Sequence, residues 1–338
     1  MKILVDAMGG DNAPEAAVLG ALDAVQSGDT EVCLIGSAAQ IEEIIRKSGI
    51  SAPGLTVVDT PDVVDMHDDP ATVIRARPHS SMVTGIRMLA AGEGDAFVSA
   101  GSTGALLSAA TLLVKRVKGV RRAAMGPILP TQTGKCVLMD CGANAECTPE
   151  FLLQFAYMGT FYARAALGLE KPRVALLNIG TEDTKGATLQ KETYPLLRAA
   201  GECGDICFIG NIEARDVPLG GADVIVTDGF SGNILLKSME GTAKFMSSMM
   251  KKMFKKNVFT LFAGLLCKGG IGEIRKKMDS NEVGGTAFIG LRKPVIKAHG
   301  SSNRRAFECA VLQAARAAKA DIASLIEGSI SNMTVPKE

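Results

Sequence analysis

The feature that most constrains the fold is a regular alternation of short apolar runs with longer helical patterns along the whole chain. Most of the short runs are continuously hydrophobic and rich in β-branched residues, which is typical of parallel strands covered on both faces. The predicted strands are 3–6, 32–35, 55–58, 96–99, 136–140, 174–178, 206–209 and 224–227. The predicted helices include 14–26, 41–47, 103–117 and 149–167. This βαβ succession predicts a three-layer α/β/α fold with a mostly parallel sheet.

No linker, low-complexity tract, internal repeat or sharp change of composition divides the 338 residues. We therefore expect residues 1–338 to form a single α/β/α catalytic unit. The alanine-rich stretch 303–325 carries Arg and Lys at helical spacing, which predicts a surface helix that closes the sheet.

Charge and composition exclude several classes of protein. With 37 Lys+Arg against 36 Asp+Glu, the formal net charge of +1 gives no general attraction to nucleic acid. The 8 cysteines include no CxxC pair, so we expect neither a zinc site nor a redox motif. Acidic and glycine residues interrupt the first ten positions, and no apolar run approaches the roughly 18 residues of a membrane span. We therefore expect an intracellular protein without a signal peptide.

Five polar, glycine-bearing turns follow predicted strands, at residues 6–14, 99–104, 140–144, 178–186 and 227–233. Such turns in a parallel sheet place backbone N–H groups and helix N-termini where an anionic ligand can bind. Together they exceed what chain reversal needs, which indicates a site for a small anionic substrate. The candidate substrate-binding residues are Gly9, Gly10, Asp11, Gly101, Ser102, Thr103, Gly104, Asn144, Asn178, Gly180, Thr181, Asp228 and Gly232.

Some of these residues have structural alternatives. Ser102 or Thr103 can cap the helix that follows instead of binding a phosphate group. The strand-ending aspartates Asp6, Asp140 and Asp228 can bind Mg²⁺, but we expect them to accept hydrogen bonds from loop N–H groups. The sequence lacks both GxxxxGK[ST] and a strand-linked GxGxxG, which argues against a P-loop enzyme and a dinucleotide cofactor.

Lys185 and the turn 229–233 contain the candidate catalytic residues. The Lys185 side chain can neutralise phosphate or stabilise a developing oxyanion. The turn resembles the nucleophile elbow GxSxG, but Asn233 stands in place of the last glycine. Of the 3 histidines only His299 follows Ser231, so a serine acyl hydrolase remains an alternative.

Residues 245–279 form a basic and strongly apolar helical region. Apolar residues recur at helical spacing while lysines fill the other positions. The region is too short to span a bilayer, but it suits an interfacial membrane segment or, equally, a dimer interface with lysines on its rim.

Four ordered motifs span the chain: MKILVDAMGGDNAPE from residue 1, SAGSTGALLSAA from 99, NIGTEDTKG from 178 and VIVTDGFSGNILLK from 224. Together they resemble the bacterial phosphate acyltransferase of phospholipid synthesis, the PlsX family. The resemblance implies a fold similar to isocitrate and isopropylmalate dehydrogenases and phosphotransacetylase. It also implies reversible transfer of a fatty acyl group from acyl carrier protein to inorganic phosphate, giving acyl phosphate, with no redox cofactor.

The same resemblance implies a homodimer in the cytoplasm that contacts the membrane, or a membrane-bound glycerol-3-phosphate acyltransferase, peripherally. Given that chemistry, we expect residues 102–104 to hold phosphate and Lys185 to offset negative charge. Ser231 or Asn233 would donate a hydrogen bond to the oxyanion. A non-catalytic acyl-binding, membrane-associated protein is a further alternative.

Acyl carrier protein is acidic as a family, so we expect it to bind a basic patch. The chain offers three clusters. They are Lys115, Arg116, Lys118, Arg121 and Arg122, then 251–256, and 275–277.

Overall fold

The computed structural model describes residues 1–27, 30–51, 53–272 and 284–334 of the chain. The strands are β1 (Lys2–Asp6), β2 (Glu31–Gly36), β3 (Leu55–Asp59), β4 (Ala96–Ser99), β5 (Ala124–Gly126), β6 (Ile128–Thr131), β7 (Gly134–Met139), β8 (Arg173–Asn178), β9 (Cys207–Glu213), β10 (Val224–Val226), β11 (Gly285–Ile289) and β12 (Val295–Ala298). The helices are α1 (Glu15–Gln26), α2 (Ala38–Ser48), α3 (Val73–Ala76), α4 (Ser81–Ala91), α5 (Thr103–Ala109), α6 (Pro149–Leu167), α7 (Thr188–Glu202), α8 (Gly229–Phe254), α9 (Val258–Leu266), α10 (Arg304–Lys319) and α11 (Ile322–Gly328).

These strands form two sheets. The first has seven strands in the order β3-β2-β1-β4-β12-β11-β5, and the second has five in the order β6-β7-β10-β8-β9. β11 is antiparallel to β12 and β5, and β6 is antiparallel to β7, while the other pairings are parallel. Only Pro127 separates β5 from β6, so the chain passes from one sheet to the other there.

Helices cover both faces of the first sheet. Ile3 and Val5 of β1 belong to a buried cluster that includes residues of α1, α6 and α10, whereas Leu4 belongs to a cluster with residues of α4 and α5. All three side chains are fully buried. Strands buried on both faces, with helices on either side, confirm the predicted α/β/α fold.

Helix α6 joins the two sheets into one core. Its residues 152–163 are all buried, as expected for a helix that is apolar nearly all round. It shares one hydrophobic cluster with strands of both sheets, including Val98 of β4 and Val226 of β10.

Every predicted strand is present, β4 with the predicted bounds and the others with shifted ends, but β5, β6, β11 and β12 were not predicted. The helix expected over 103–117 stops earlier, because α5 ends at Ala109 and a π-helical turn, Ala110–Val114, follows it.

The stretch 303–325 differs from its prediction as one surface helix. It contains α10 and the start of α11, which continues to Gly328. α10 buries a full face against α1 and the first sheet. Gly20 of α1 packs tightly against the start of α10, since a Cβ atom there would lie 2.5 Å from the Arg304 carbonyl oxygen. Asp321, with φ 44°, lies between α10 and α11. It caps α11, since its carboxylate accepts a hydrogen bond from the Ser324 N–H.

Within the predicted 245–279 region, α8 continues to Phe254 and α9 follows after a short turn. Residues 273–279, including the 275–277 basic cluster, lie outside the described residues.

Candidate functional site

The loops after β1, β4 and β12 lie side by side at the carboxyl edge of the first sheet, because these strands are adjacent and parallel. The Asp11 N–H donates a hydrogen bond to the Gly300 carbonyl oxygen at 2.8 Å. A Cβ atom on Gly9 would lie 2.7 Å from the Gly101 nitrogen, so glycine is needed for this close approach. We call these three loops the first-sheet cluster. It contains the predicted residues Gly9, Gly10, Asp11, Gly101, Ser102, Thr103 and Gly104.

Ser102 occupies the position before α5, but its side chain makes no capping hydrogen bond with that helix. The residue is only 7% exposed. Its hydroxyl is therefore not used for capping, which was the structural alternative.

Asp6 lies beneath the first-sheet cluster and is 1% exposed. Its carboxylate accepts hydrogen bonds from the hydroxyls of Ser81 and Ser99, each at 2.7 Å, and from the Met8 N–H at 3.1 Å. Burial raises the pKa of the Asp6 carboxyl, while these hydrogen bonds act in the opposite direction.

Lys297 is a buried cation that sequence reasoning missed. It lies in β12 opposite Ser99 of β4 and is 9% exposed. Its Nζ donates to the carbonyl oxygens of Ala298 at 2.5 Å and Ala100 at 3.3 Å. Burial lowers its pKa to about 8, against the opposing effect of Asp6 and Asp11. The available signal was one charged residue within the apolar run Pro-Val-Ile-Lys-Ala.

The second sheet presents a similar edge where β7, β10 and β8 are adjacent and parallel. Asp140 follows β7 and is fully buried. Its carboxylate accepts hydrogen bonds from the N–H groups of Cys141 at 2.6 Å, and of Met125 and Asn144 at 2.7 Å each. Burial raises its pKa, against the effect of these hydrogen bonds. The Asn144 side chain in turn donates to the Ala123 carbonyl oxygen at 2.8 Å.

The N-terminus of α8 packs directly on this loop. The Gly229 N–H donates to the Asn144 carbonyl oxygen at 2.8 Å, and the Asp228 side chain caps α8 by accepting from the Ser231 N–H at 2.8 Å. A Cβ on Gly232 would lie 2.0 Å from the Asp140 carbonyl oxygen, so only glycine fits there.

These contacts confirm that Asp6 and Asp140 accept hydrogen bonds from loop N–H groups, as expected, whereas Asp228 accepts from the Ser231 N–H in the first turn of α8. In the part of the chain that the structure describes, no group of three or more His, Cys, Asp or Glu side chains is arranged to hold a metal ion.

The loop after β8 carries Lys185 at the same sheet edge. The Asn178 side chain closes this loop by donating to the Lys185 carbonyl oxygen at 3.1 Å, and Asn211 donates to the Glu182 carbonyl oxygen at 2.7 Å. The Lys185 side chain is exposed, and a Cβ on Gly180 would lie 3.2 Å from its Cγ. We call the loops after β7, β8 and β10 the second-sheet cluster. It contains the predicted residues Asn144, Asn178, Gly180, Thr181, Lys185, Asp228, Ser231, Gly232 and Asn233.

Helix α8 borders both clusters. Burial is the main cause of the shifted pKa values of Lys297 in β12 and Cys141 after β7, and the charge of Lys237 acts on both. Lys237 lies one turn after Asn233 and forms an ion pair with Glu240 at 2.9 Å. Lys185 and Ser231 both belong to the second-sheet cluster, but the structure gives no contact between their side chains among the residues it describes.

The serine hydrolase alternative finds no assembled triad. His299 Nδ1 lies 2.9 Å from the Ser301 hydroxyl, and no described hydrogen bond joins His299 to Ser231. Burial lowers the pKa of His299. The histidine is thus engaged within its own loop.

The far half of α8 and all of α9 expose large apolar side chains. Phe259 is 85% exposed and Leu266 is 74% exposed. The others are Phe245, Met246, Met249, Met253, Val258, Leu261, Phe262 and Leu265. Among the described helices, none is both long and apolar enough to cross a bilayer.

Comparison with protein families gives a match over nearly the whole chain. The family model for the fatty acid synthesis protein matches residues 1–325. The phosphate acyltransferase of Thermoanaerobacterium thermosaccharolyticum is 43% identical over 330 residues, which cover 98% of this chain and 97% of that relative. The phosphate acyltransferase of Oceanobacillus iheyensis is 42% identical over 334 residues, which cover 98% of each chain.

Comparison with solved structures concerns the fold. A phosphotransacetylase from Streptococcus pyogenes superposes with a TM-score of 0.63 at 20% identity, covering 94% of each chain. A branched-chain phosphotransacylase from Enterococcus faecalis gives a TM-score of 0.61 at 16% identity, covering 94% of this chain and 99% of the other. The expected similarity to phosphotransacetylase is confirmed.

Proposed function

This chain belongs to the phosphate acyltransferase family matched by the fatty acid synthesis protein model, and on that premise we propose that it transfers a fatty acyl group from a thioester donor to inorganic phosphate. The acyl phosphate formed serves phospholipid synthesis. The observation that carries the proposal is the near full-length match to relatives named phosphate acyltransferase. The glycine-rich loop clusters bordering α8 support it, because they provide N–H groups and cations for an anion.

In this reaction an oxygen of phosphate attacks the carbonyl carbon of the thioester. The carbon–sulfur bond then breaks, and the departing sulfur takes the proton that another oxygen of the same phosphate group carried. Acyl phosphate and a free thiol result, and the reverse reaction restores the reactants. Because phosphate is already anionic near neutral pH, the protein has to orient it and stabilise the tetrahedral oxyanion.

In our proposal the first-sheet cluster binds phosphate, and the second-sheet cluster stabilises the negative charge of the reaction. Residues 102–104 hold phosphate through backbone N–H groups and hydroxyls at the start of α5. Lys185 offsets negative charge from the second-sheet cluster, and Ser231 or Asn233 donates a hydrogen bond to the oxyanion. Both sheets then act as one catalytic unit, which agrees with the position of α8 beside both clusters.

We infer that Lys297 adds a fixed positive charge beneath the first-sheet cluster. This inference is supported by the hydrogen bonds that the Lys297 Nζ donates to the carbonyl oxygens of Ala100 and Ala298, which hold the ammonium group in place. A buried cation attracts an anion more strongly than an exposed one, because water screens it less.

The donor in our proposal is acyl carrier protein, and the enzyme is a cytoplasmic homodimer that contacts the membrane, or a membrane-bound glycerol-3-phosphate acyltransferase, peripherally. The exposed apolar side chains of α8 and α9 support such contacts, since a patch of that kind on a monomer marks an interaction surface. The lysines at 251–256 beside it suit the polar rim of an interface or an anionic lipid surface.

The test is incubation of the protein with a fatty acyl thioester of acyl carrier protein, with and without phosphate. Hydroxylamine trapping should detect acyl phosphate only when phosphate is present. Release of free fatty acid at the same rate without phosphate would favour a serine acyl hydrolase. Absence of any turnover would favour a non-catalytic acyl-binding protein.

A further inference from the structure

We propose that the basic surface formed by residues 115–122 is the docking surface for an acidic acyl carrier protein. The proposal rests on the function proposed above, because that function supplies the partner. It selects between the two basic clusters that the structure describes, 115–122 and 251–256, by their shape, anchoring and position in the fold.

The surface is concave and rich in arginine. A cavity of about 300 Å³ is lined by Arg116, Gly119, Val120, Arg121, Arg122 and Phe151. Arg121 and Arg122 are exposed, as are Lys115 and Lys118 beside them. Only the Arg121 guanidinium has a carboxylate partner among the described residues, Glu150 at 3.1 Å. The surface therefore offers several cations to an acidic partner.

This segment is held rigidly by buried side chains. Val117 and Val120 are 4% and 5% exposed and anchor it in the core. The buried side chain of Gln154 in α6 accepts from the Arg121 N–H at 2.8 Å and donates to the Gly119 carbonyl oxygen at 3.1 Å. Arg122 lies over the Phe151 ring, 5.5 Å from its centre. A surface fixed in advance binds at a lower entropic cost than a mobile one.

The surface adjoins the second-sheet cluster. Arg122 is followed by Ala123, whose carbonyl oxygen accepts the side-chain hydrogen bond of Asn144. Asn144 in turn accepts from Gly229 at the start of α8. A carrier docked here would therefore hold its thioester beside the loops that we assign to the oxyanion.

The 251–256 cluster lies much farther from the site. It begins 18 residues after Asn233 on α8, which is about 27 Å along a helix axis. That cluster also flanks the exposed apolar side chains of α8 and α9. Its position suits an interface rim better than delivery of a thioester.

The test compares donors in one set of variants. Arg116→Glu/Arg122→Glu reverses two charges of the surface, and Arg116→Lys/Arg122→Lys keeps them. Lys135→Glu/Lys171→Glu is the matched control, because both lysines are exposed at or near the amino ends of β7 and β8, away from the site. Each variant is assayed with the acyl carrier protein thioester and with the acyl thioester of N-acetylcysteamine, which has no carrier.

We expect the charge reversal to lower kcat/KM for the carrier donor at least about tenfold relative to the small donor at low salt, and less at high salt. The Lys variant should lose much less, and the control should keep the wild-type ratio. An unchanged ratio in the Arg→Glu variant would overturn the proposal, as would the same loss in Lys252→Glu/Lys255→Glu.

The proposed function and the docking surface fail in different ways. If no donor yields acyl phosphate with the unmodified protein, the function is wrong. Anisotropy of a fluorescent carrier protein then still tests docking, with a Kd that the Arg116→Glu/Arg122→Glu variant should weaken about tenfold. An equal Kd in both proteins would contradict the surface independently of catalysis.

Discussion

Lys297 couples the stability of the fold to pH. Its pKa is about 8 in the folded protein and 10.5 in an unfolded chain. Between about pH 8 and pH 10.5 the unfolded chain therefore holds more protons at Lys297 than the folded protein does. The contribution of Lys297 to the free energy of unfolding rises with pH over this range. Relative to Lys297→Met, the wild type should gain about 2 kcal/mol in free energy of unfolding between pH 7.5 and 9.5.

Urea unfolding of both proteins at the two pH values measures this difference. Buried cysteines with raised pKa values, such as Cys136, act in the opposite direction but are common to both proteins and cancel. The matched control is Lys293→Met, because Lys293 lies just before β12, at the opposite end of that strand from the first-sheet cluster. A difference that does not change with pH would mean that Lys297 is solvated.

Lys185 should be needed for turnover but not for folding. Its backbone groups make the loop contacts, since its carbonyl oxygen accepts from Asn178 and its N–H donates to Glu182, and alanine keeps both. Lys185→Ala should thus lower kcat at least about tenfold, as expected for loss of charge stabilisation, with little change of Tm. Lys191→Ala, an exposed lysine on α7, is the matched control. A Lys185→Ala enzyme with wild-type kcat would remove this residue from the mechanism.

Helix α8 is fixed to the site at its start and free of such contacts farther along. A Cβ on Gly229 would lie 2.5 Å from the Asn144 carbonyl oxygen and 2.6 Å from the Asp140 carboxylate, whereas a Cβ on Gly241 meets nothing within 4 Å. Gly229→Ala should therefore lower the free energy of unfolding by about 2 kcal/mol or more. Gly241→Ala, on the same helix, should raise it by about 0.5–1 kcal/mol.

Chemical denaturation with guanidinium measures both variants. The pair separates close packing at the α8 N-terminus from helix propensity, because the substitution is the same and only its surroundings differ. Equal effects in the two variants would mean that the junction of α8 with the Asn144 loop is loose.

The elements that the sequence predicted are those whose pattern is local. The buried parallel strands are continuous apolar runs, and α6 was predicted with the bounds that the structure shows. β5 contains no β-branched residue, and Lys297 interrupts the apolar run of β12. Neither strand gives a continuous run of β-branched apolar residues, so the position of Lys297 beside the β4 loop was also hidden. The glycine turns were predictable because glycine itself marks them.

At the scale of the whole molecule, sequence order predicted that the loops gather at strand ends but not which loops meet. Ala123 precedes β5 of the first sheet, and Asn144 follows β7 of the second sheet. The hydrogen bond between them therefore depends on how the two sheets are joined. This contact places the 115–122 surface next to the site. Charge clusters alone therefore could not select a docking surface.

The exposed apolar side chains of α9 predict self-association of the protein. Phe259 and Leu266 are 85% and 74% exposed, and burying such a side chain contributes about 1.5–3 kcal/mol. Phe259→Asp/Leu266→Asp removes two of them from each protomer of a dimer and adds unpaired charges. We therefore expect the dissociation constant to rise at least about 100-fold and sedimentation equilibrium to report a monomer.

Leu219→Asp is the matched control for this experiment, because Leu219 is 56% exposed and lies in the turn between β9 and β10, outside α8 and α9. It should leave the dimer intact. Circular dichroism checks that both variants are folded. A wild-type protein that sediments as a monomer, or a double variant that stays dimeric, would show that α9 has another role. Binding of the wild type, but not of the double variant, to anionic vesicles would then identify a lipid surface as its partner.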